Sequence, residues 1–194
     1  MEITSQMIKD LREKTGISVM QCKKSLEEAE GDMDKALIIL KKKRSEAADK
    51  KADREIGAGV VGVYVHNTNE VASMILLSCE TDFVSKNEEF VQLANDIAMH
   101  VSAMNPKYVA KEELDDAMIE KAKEVFAEEV NSKPEEMREK IMEGKLNSYF
   151  KDQILLEQPF VKNPETTIGE MVSGAIQKFG EKVVITEISR LSVK

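Results

Sequence analysis

The first forty-odd positions repeat apolar residues at intervals of three and four, the spacing that lines one face of a helix. Met7, Ile8 and Leu11 form the first stripe, which ends at Gly16, a residue free to take the left-handed conformation past a helix end. A start signal follows at once. Ser18-Val19-Met20-Gln21 fits a capping box, with Ile17 and Cys22 placed as a hydrophobic staple across it. Cys22, Leu26 and Ala29 face inward, Gly31 closes that helix, Asp32 caps the next, and Met33, Ala36, Leu37 and Leu40 carry a third stripe. Residues 1–43 therefore read as a compact three-helix module. From Lys41-Lys42-Lys43-Arg44 onward the stripe is lost, and the charged, alanine-rich stretch through Glu55 reads as a solvated linker over residues 44–56.

From Gly59 the period falls to two. Residues 60–65 and 71–77 are β-rich runs joined by Asn67-Thr68-Asn69, the composition of a hairpin turn. Phe90, Leu93, Ala94, Ile97, Val101 and Met104 make a helical face predicted to pack on that sheet, stopped by Asn105-Pro106. After an extended Lys107-Tyr108-Val109, residues 112–131 and 133–151 read as two antiparallel helices. Leu114, Met118, Ala122, Val125 and Val130 mark the first, and Met137, Ile141 and Leu146 the second, with Ser132-Lys133-Pro134-Glu135 as a capping box between them. Residues 154–161, interrupted by Pro159, suit an edge or irregular connection. Thr167-Ile168-Gly169-Glu170 opens a capped helix that runs through Phe179 to Gly180. In residues 183–193, Val183, Ile185, Leu191 and Val193 alternate against Thr186, Arg190 and Ser192, predicting a strand with one wet face. Residues 57–194 thus form an α+β core, a mainly antiparallel sheet packed with helices.

One place breaks the pattern. In Cys79-Glu80-Thr81-Asp82-Phe83-Val84-Ser85-Lys86-Asn87 a strand ends, Asn87 is set to cap the next helix, and Phe83 and Val84 put apolar side chains on a turn that should be polar. Either Phe83 tucks into the protein's own core while Asp82 caps the turn, or Phe83 is held out as a wedge for a partner. Val19 and Met20, at a helix start, pose the same choice between partial burial and a docking patch.

Composition narrows the chemistry. With 194 residues, 42% hydrophobic and 33% charged, the chain has the material for a true core. A net charge of −8 opposes a protein built to neutralise phosphates, so direct nucleic-acid binding is not expected. No apolar run approaches the ~20 residues that span a bilayer, and the polar N-terminal stretch lacks a secretory pattern, so no membrane association is expected and the expected location is the cytoplasm. Cys22 and Cys79 fall in apolar-periodic segments, as buried reduced thiols do, and no metal or cofactor is expected. No phosphate loop, dinucleotide turn, nucleophile elbow or Cys/His cluster is present, and His66 and His100 lie far apart. Cys79 beside Glu80 offers a thiol without a base near it in sequence, so the chain is not expected to be an enzyme. Between Glu112 and Glu143, twelve acids against five bases read as a solvated helical face.

Three ordered segments carry a resemblance. Thr81-Asp82-Phe83-Val84 after a cysteine is similar to the signature of the elongation factor Ts family. Leu11-Arg12-Glu13-Lys14-Thr15-Gly16 followed by Met20 and Cys22-Lys23-Lys24-Ser25-Leu26 resembles that family's N-terminal hallmark, and Gln158-Pro159-Phe160-Val161 is a third match. Ile17-Ser18-Val19, Gln21 and Ser85 depart from the family's usual residues. The three-helix module also resembles ubiquitin-associated domains. The family resemblance implies a guanine-nucleotide exchange factor for elongation factor Tu. In it Thr81, Asp82, Phe83 and Val84 would disturb the partner's Mg²⁺ and phosphate site, and Leu11, Val19, Met20 and Lys23 would dock the module on the GTPase. It further implies a short, single-core form that pairs as a homodimer. The alternative is an adaptor that binds another protein through the helical module alone.

Overall fold

The computed structural model describes residues 3–132 and 134–193. Helix α1 (Ser5–Thr15) is capped by Thr4, whose hydroxyl accepts the Met7 amide, and closed by Gly16 at φ 68°. Helix α2 (Val19–Glu28) starts at Ser18, whose side chain accepts the Gln21 amide, and Ile17 and Cys22 are both buried as the staple requires. Gly31, at φ 84°, returns its N–H to the Leu26 carbonyl, and the Asp32 carboxylate takes the amides of Asp34 and Lys35 to begin α3 (Met33–Asp49). Leu11, Ile17, Cys22, Leu26, Ala29, Ala36 and Leu40 form the shared core of these helices. Helix α3 runs to Asp49, beyond the expected end at residue 43. Alanine, lysine, arginine and glutamate are strong helix formers, so backbone preference carries the helix on where the apolar stripe stops.

Strands β1 (Ala58–Val65) and β2 (Val71–Cys79) form the predicted hairpin. The Gly57 amide meets the Cys79 carbonyl at one end and His66 meets Val71 at the other, so the pair is antiparallel. After β2 come a single-turn helix α4 (Asp82–Ser85) and the long α5 (Glu88–Met104). Helices α6 (Asp116–Asn131) and α7 (Glu135–Lys151) follow, then β3 (Pro159–Phe160), β4 (Asn163–Thr167), α8 (Ile168–Phe179) and β5 (Val183–Ser192). The sheet order is β1-β2-β5, and β3 and β4 pair antiparallel by themselves. The chain divides into two compact units, one of residues 1–61, 77–93 and 170–184, the other of residues 62–76, 94–169 and 185–194.

In the second unit α5 lies on the sheet as predicted. Asn95 accepts the Val63 amide, Ser73 donates to the Ala98 carbonyl, and Gly62 meets the Ala94 carbonyl so closely that there is no room for a Cβ. Arg190 also turns this way, donating to the Ser102 carbonyl. Leu191 therefore faces outward, with Val63, Val65 and Met74, and all four are exposed. This corrects the second half of the expected pattern on β5: Val183 and Ile185 are buried as expected, but Leu191 and Val193 are among the most exposed apolar residues and Arg190 is half-buried. The exposed face of the sheet here is apolar rather than polar.

Helices α6 and α7 pack through Ala122, Phe126 and Phe150, with Ile119, Leu146 and Ile154. Val125 and Met137 face solvent instead of the core. The expected capping box between the helices does not form: Ser132 donates back to the Glu129 carbonyl, Pro134 stands at the cap position without a side-chain bond, and Lys133 lies outside the described residues.

The segment Gln158-Pro159-Phe160-Val161 encloses His100. The Val161 amide donates to His100 Nδ1, which leaves the proton on Nε2 for the side-chain oxygen Oε1 of Gln158 at 2.8 Å, while Phe160 lies beside the ring. His100 is wholly buried, and burial pushes its imidazole below the ordinary value of 6.5, against the opposing pull of Gln158. The unfolded chain therefore takes up a proton here before the folded one does. Stability from this group is fully present above about pH 6.5 and declines as pH falls toward the lower folded value, with a slope of at most ~1.4 kcal/mol per pH unit. Denaturant midpoints measured from pH 8 to 5.5 should bend near 6.5, and His100→Gln should remove the bend.

Candidate functional site

Strand β2 sinks its alternate side chains Ser73, Ile75, Leu77 and Cys79 into the interior, then delivers the chain to Glu80 and Thr81. The chain there turns into α4, where Val84 points inward at 4% exposure while Phe83 stands 83% exposed. Burying a phenylalanine side chain is worth ~1.5–3 kcal/mol, and this chain leaves that gain unused on a residue whose neighbour is anchored. Of the two readings of Phe83, burial in its own core is excluded. The Asp82 carboxylate pairs with Lys86 one turn on, at 2.7 Å, and that hydrogen bond and charge hold it below the usual carboxylate range.

The base of the corner is held by groups that sequence spacing did not reveal. Both oxygens of Glu181 accept from the Glu80–Thr81 segment, and the Glu80 carboxylate in turn receives Arg54 and the backbone N–H of Lys182. The Lys182 hydrogen bond, then Arg54, keeps Glu80 below its ordinary value. Glu181 and Lys182 sit about a hundred residues downstream, beyond the reach of any local motif. Cys79 donates its thiol to the Thr81 carbonyl, and burial first, then the nearby Glu181 charge, pushes it up, so it remains an unreactive thiol.

The helical module carries a second exposed set. Val19 and Met20, at 53% and 68% exposure, stand at the start of α2, and Lys23 one turn on is exposed beside Glu27. Met20 also borders a groove of about 650 Å³ shared with Ile17, Arg12 and Lys24. Leu11 does not join this surface. Its side chain is fully buried in the module core, where it is a packing residue.

An exposed Phe on a Thr-Asp-Phe-Val corner and an exposed Val-Met pair on a three-helix module are thus present in one chain, and comparison with known sequences gives them a family. Residues 48–193 match the family described as Elongation factor TS. The chain is 45% identical over 194 residues to "Elongation factor Ts" of Thermodesulfovibrio yellowstonii, covering all of this chain and 97% of the relative. It is 44% identical to that of Fervidobacterium nodosum, over all of this chain and 99% of the relative, and 43% identical to that of Thermosipho melanesiensis, over 98% of each. This chain belongs to the elongation factor Ts family. Membership places it among the factors of translation elongation in protein biosynthesis. Among the described residues no helix is long and apolar enough to cross a membrane, and no three His, Cys, Asp or Glu side chains gather as a metal site. What this member of the family offers is an apolar tip on a braced corner and an apolar patch on a helix start.

Proposed function

We propose that the chain is a guanine-nucleotide exchange factor that binds elongation factor Tu in its GDP form and promotes release of GDP, so that GTP replaces it. The observation that carries this reading is the exposed ring of Phe83 beside the anchored Val84. On a GTPase, GDP is held by backbone amides, a lysine and a Mg²⁺ ion that tolerates little distortion of its octahedral shell. Phe83 inserts between partner helices beside that pocket, and Thr81, Asp82 and Val84 bring the corner against the Mg²⁺ and phosphate environment. Val19, Met20 and Lys23 dock the module. Two contacts on one chain raise the effective concentration of the second once the first is made. Linkage makes the effect reciprocal: the factor weakens GDP as much as GDP weakens the factor, and abundant GTP sets the direction. The chain is a binding protein of the cytoplasm that works on its partner's site rather than an enzyme with its own.

The chain further acts as a homodimer. The apolar outer face of Val63, Val65, Met74 and Leu191 supports this, since exposed contiguous apolar surface marks an interface and a two-fold pairing would cover it with itself. Adding the chain to elongation factor Tu loaded with fluorescent GDP should speed nucleotide release in a saturable way, and sedimentation should return twice the chain's 21.8 kDa. Saturable binding without faster release would favour the adaptor reading, and a monomer mass would remove the dimer.

A further inference from the structure

Thr81 has the extended backbone of a helix N-cap, yet its hydroxyl caps nothing in α4. It donates instead to one oxygen of Glu181 at 2.6 Å, while the N–H groups of Glu80 and Thr81 donate to the other at 3.1 and 3.0 Å. One carboxylate takes three donors from two consecutive residues. The arrangement is reciprocal, because the Glu80 carboxylate accepts the backbone N–H of Lys182, the residue after Glu181. Each acidic side chain thus holds the other segment's backbone. The clasp reaches further: Arg54 donates to Glu80 at 3.1 and 3.3 Å, and the Lys182 ammonium donates to the carbonyls of Ala52 and Arg54. Glu181 itself is set by Gly180, whose φ of 72° turns the chain from α8 toward β5. The base of the corner is tied down, and the Phe83 ring projects from it.

We infer that Glu181 is the positioning residue of the Phe83 finger, fixing from the α8–β5 turn the direction in which the ring leaves the sheet. This rests on the exchange reading of the corner. Both Glu181 oxygens are engaged within the chain, so its part is to aim the finger and not to touch the partner. Charge-assisted bonds to backbone amides are the strong class of hydrogen bond, and two of the three act on the backbone that sets the aim. A ring held in its binding direction loses little freedom on insertion, whereas a loose one must be ordered at that moment. Displacement by about an ångström is enough to spoil a placed group.

The test compares Glu181→Ala, Phe83→Ala and the double variant in release of fluorescent GDP from elongation factor Tu. Glu181→Ala should lower the saturating rate about tenfold while the half-saturating concentration stays within about twofold. In the Phe83→Ala background it should add less than about twofold, because there is no ring left to aim. Glu181→Gln, whose amide oxygen still accepts the two backbone N–H groups, should recover most of the rate. The Glu80 and Thr81 amides should exchange hydrogen faster in Glu181→Ala than in the wild type. Phe83→Ala slow with Glu181→Ala at the wild-type rate would overturn the inference alone, as would an equal tenfold loss in both backgrounds. Phe83→Ala at the wild-type rate would instead overturn the exchange reading beneath it. Should Glu181→Ala fail to fold, Thr81→Val in the wild-type and Phe83→Ala backgrounds replaces it: about a threefold loss that disappears without Phe83 supports the inference, and no loss, or the same loss in both backgrounds, overturns it.

Discussion

Replacing Phe83 by alanine should slow the GDP release from elongation factor Tu proposed for this chain by roughly a hundredfold at saturation, while leaving its unfolding temperature unchanged. The size follows from burial. An aromatic side chain fully desolvated at an interface commonly costs ~2–4 kcal/mol when truncated, and ~2.7 kcal/mol is a hundredfold. The unchanged stability follows from exposure, since a ring 83% exposed in the free chain has little to lose there. Val84, at 4% exposure, is the opposite case and belongs to the protein's own interior. Stopped-flow release and a thermal melt of the same variant separate the two effects. Docking through Val19 and Met20 should persist, so the loss falls on the maximal rate far more than on the concentration needed to reach half of it.

Leu11→Ala should do the reverse and cost stability. Leu11 is fully buried where α1 meets Leu26, Ala36 and Leu40, and such truncations cost ~2.7–5 kcal/mol in well-packed cores. A three-helix core this small holds only a few kcal/mol in all, so about 3 kcal/mol should leave residues 5–49 largely unfolded. Hydrogen exchange should show protection lost across α1 to α3 and retained in α5. Val19→Asp is the control, because its side chain is exposed. The helix should stay intact, while the half-saturating concentration for exchange rises about tenfold, as expected for a charge placed in an apolar contact.

These outcomes separate what could be read along the chain from what could not. Local signals were reliable where the cause is local: Ser18 and Asp32 start helices through their own side chains, Gly16 ends one through its own backbone, and the Asn67-Thr68-Asn69 turn joins strands that follow it directly. Phe83 was legible as a misfit, since an apolar residue on a polar turn stands out without any structure. What decides its aim was not. Glu181 meets Glu80 and Thr81 across about a hundred residues, and no spacing rule relates them. The same holds for Gln158 and His100, a buried pair joined only by tertiary packing. Resemblance alone groups Leu11 with the docking residues, and burial assigns it to the core. On β5 the expected alternation holds for Val183 and Ile185, which are buried, and fails at Leu191 and Val193, because a change of phase inside a strand leaves no mark in the sequence pattern. Arg190 reaching Ser102 shows the later half turned the other way.

Central to the proposed function is the Phe83 ring acting on the partner's nucleotide site. Its most direct measurement is the maximal rate of fluorescent GDP release from elongation factor Tu at fixed Mg²⁺, with the wild-type chain and the Phe83→Ala variant each at saturating concentration. Fast release with the wild type, and release roughly a hundredfold slower but still above the spontaneous rate with Phe83→Ala, is the predicted result. Equal rates for the two proteins would contradict it.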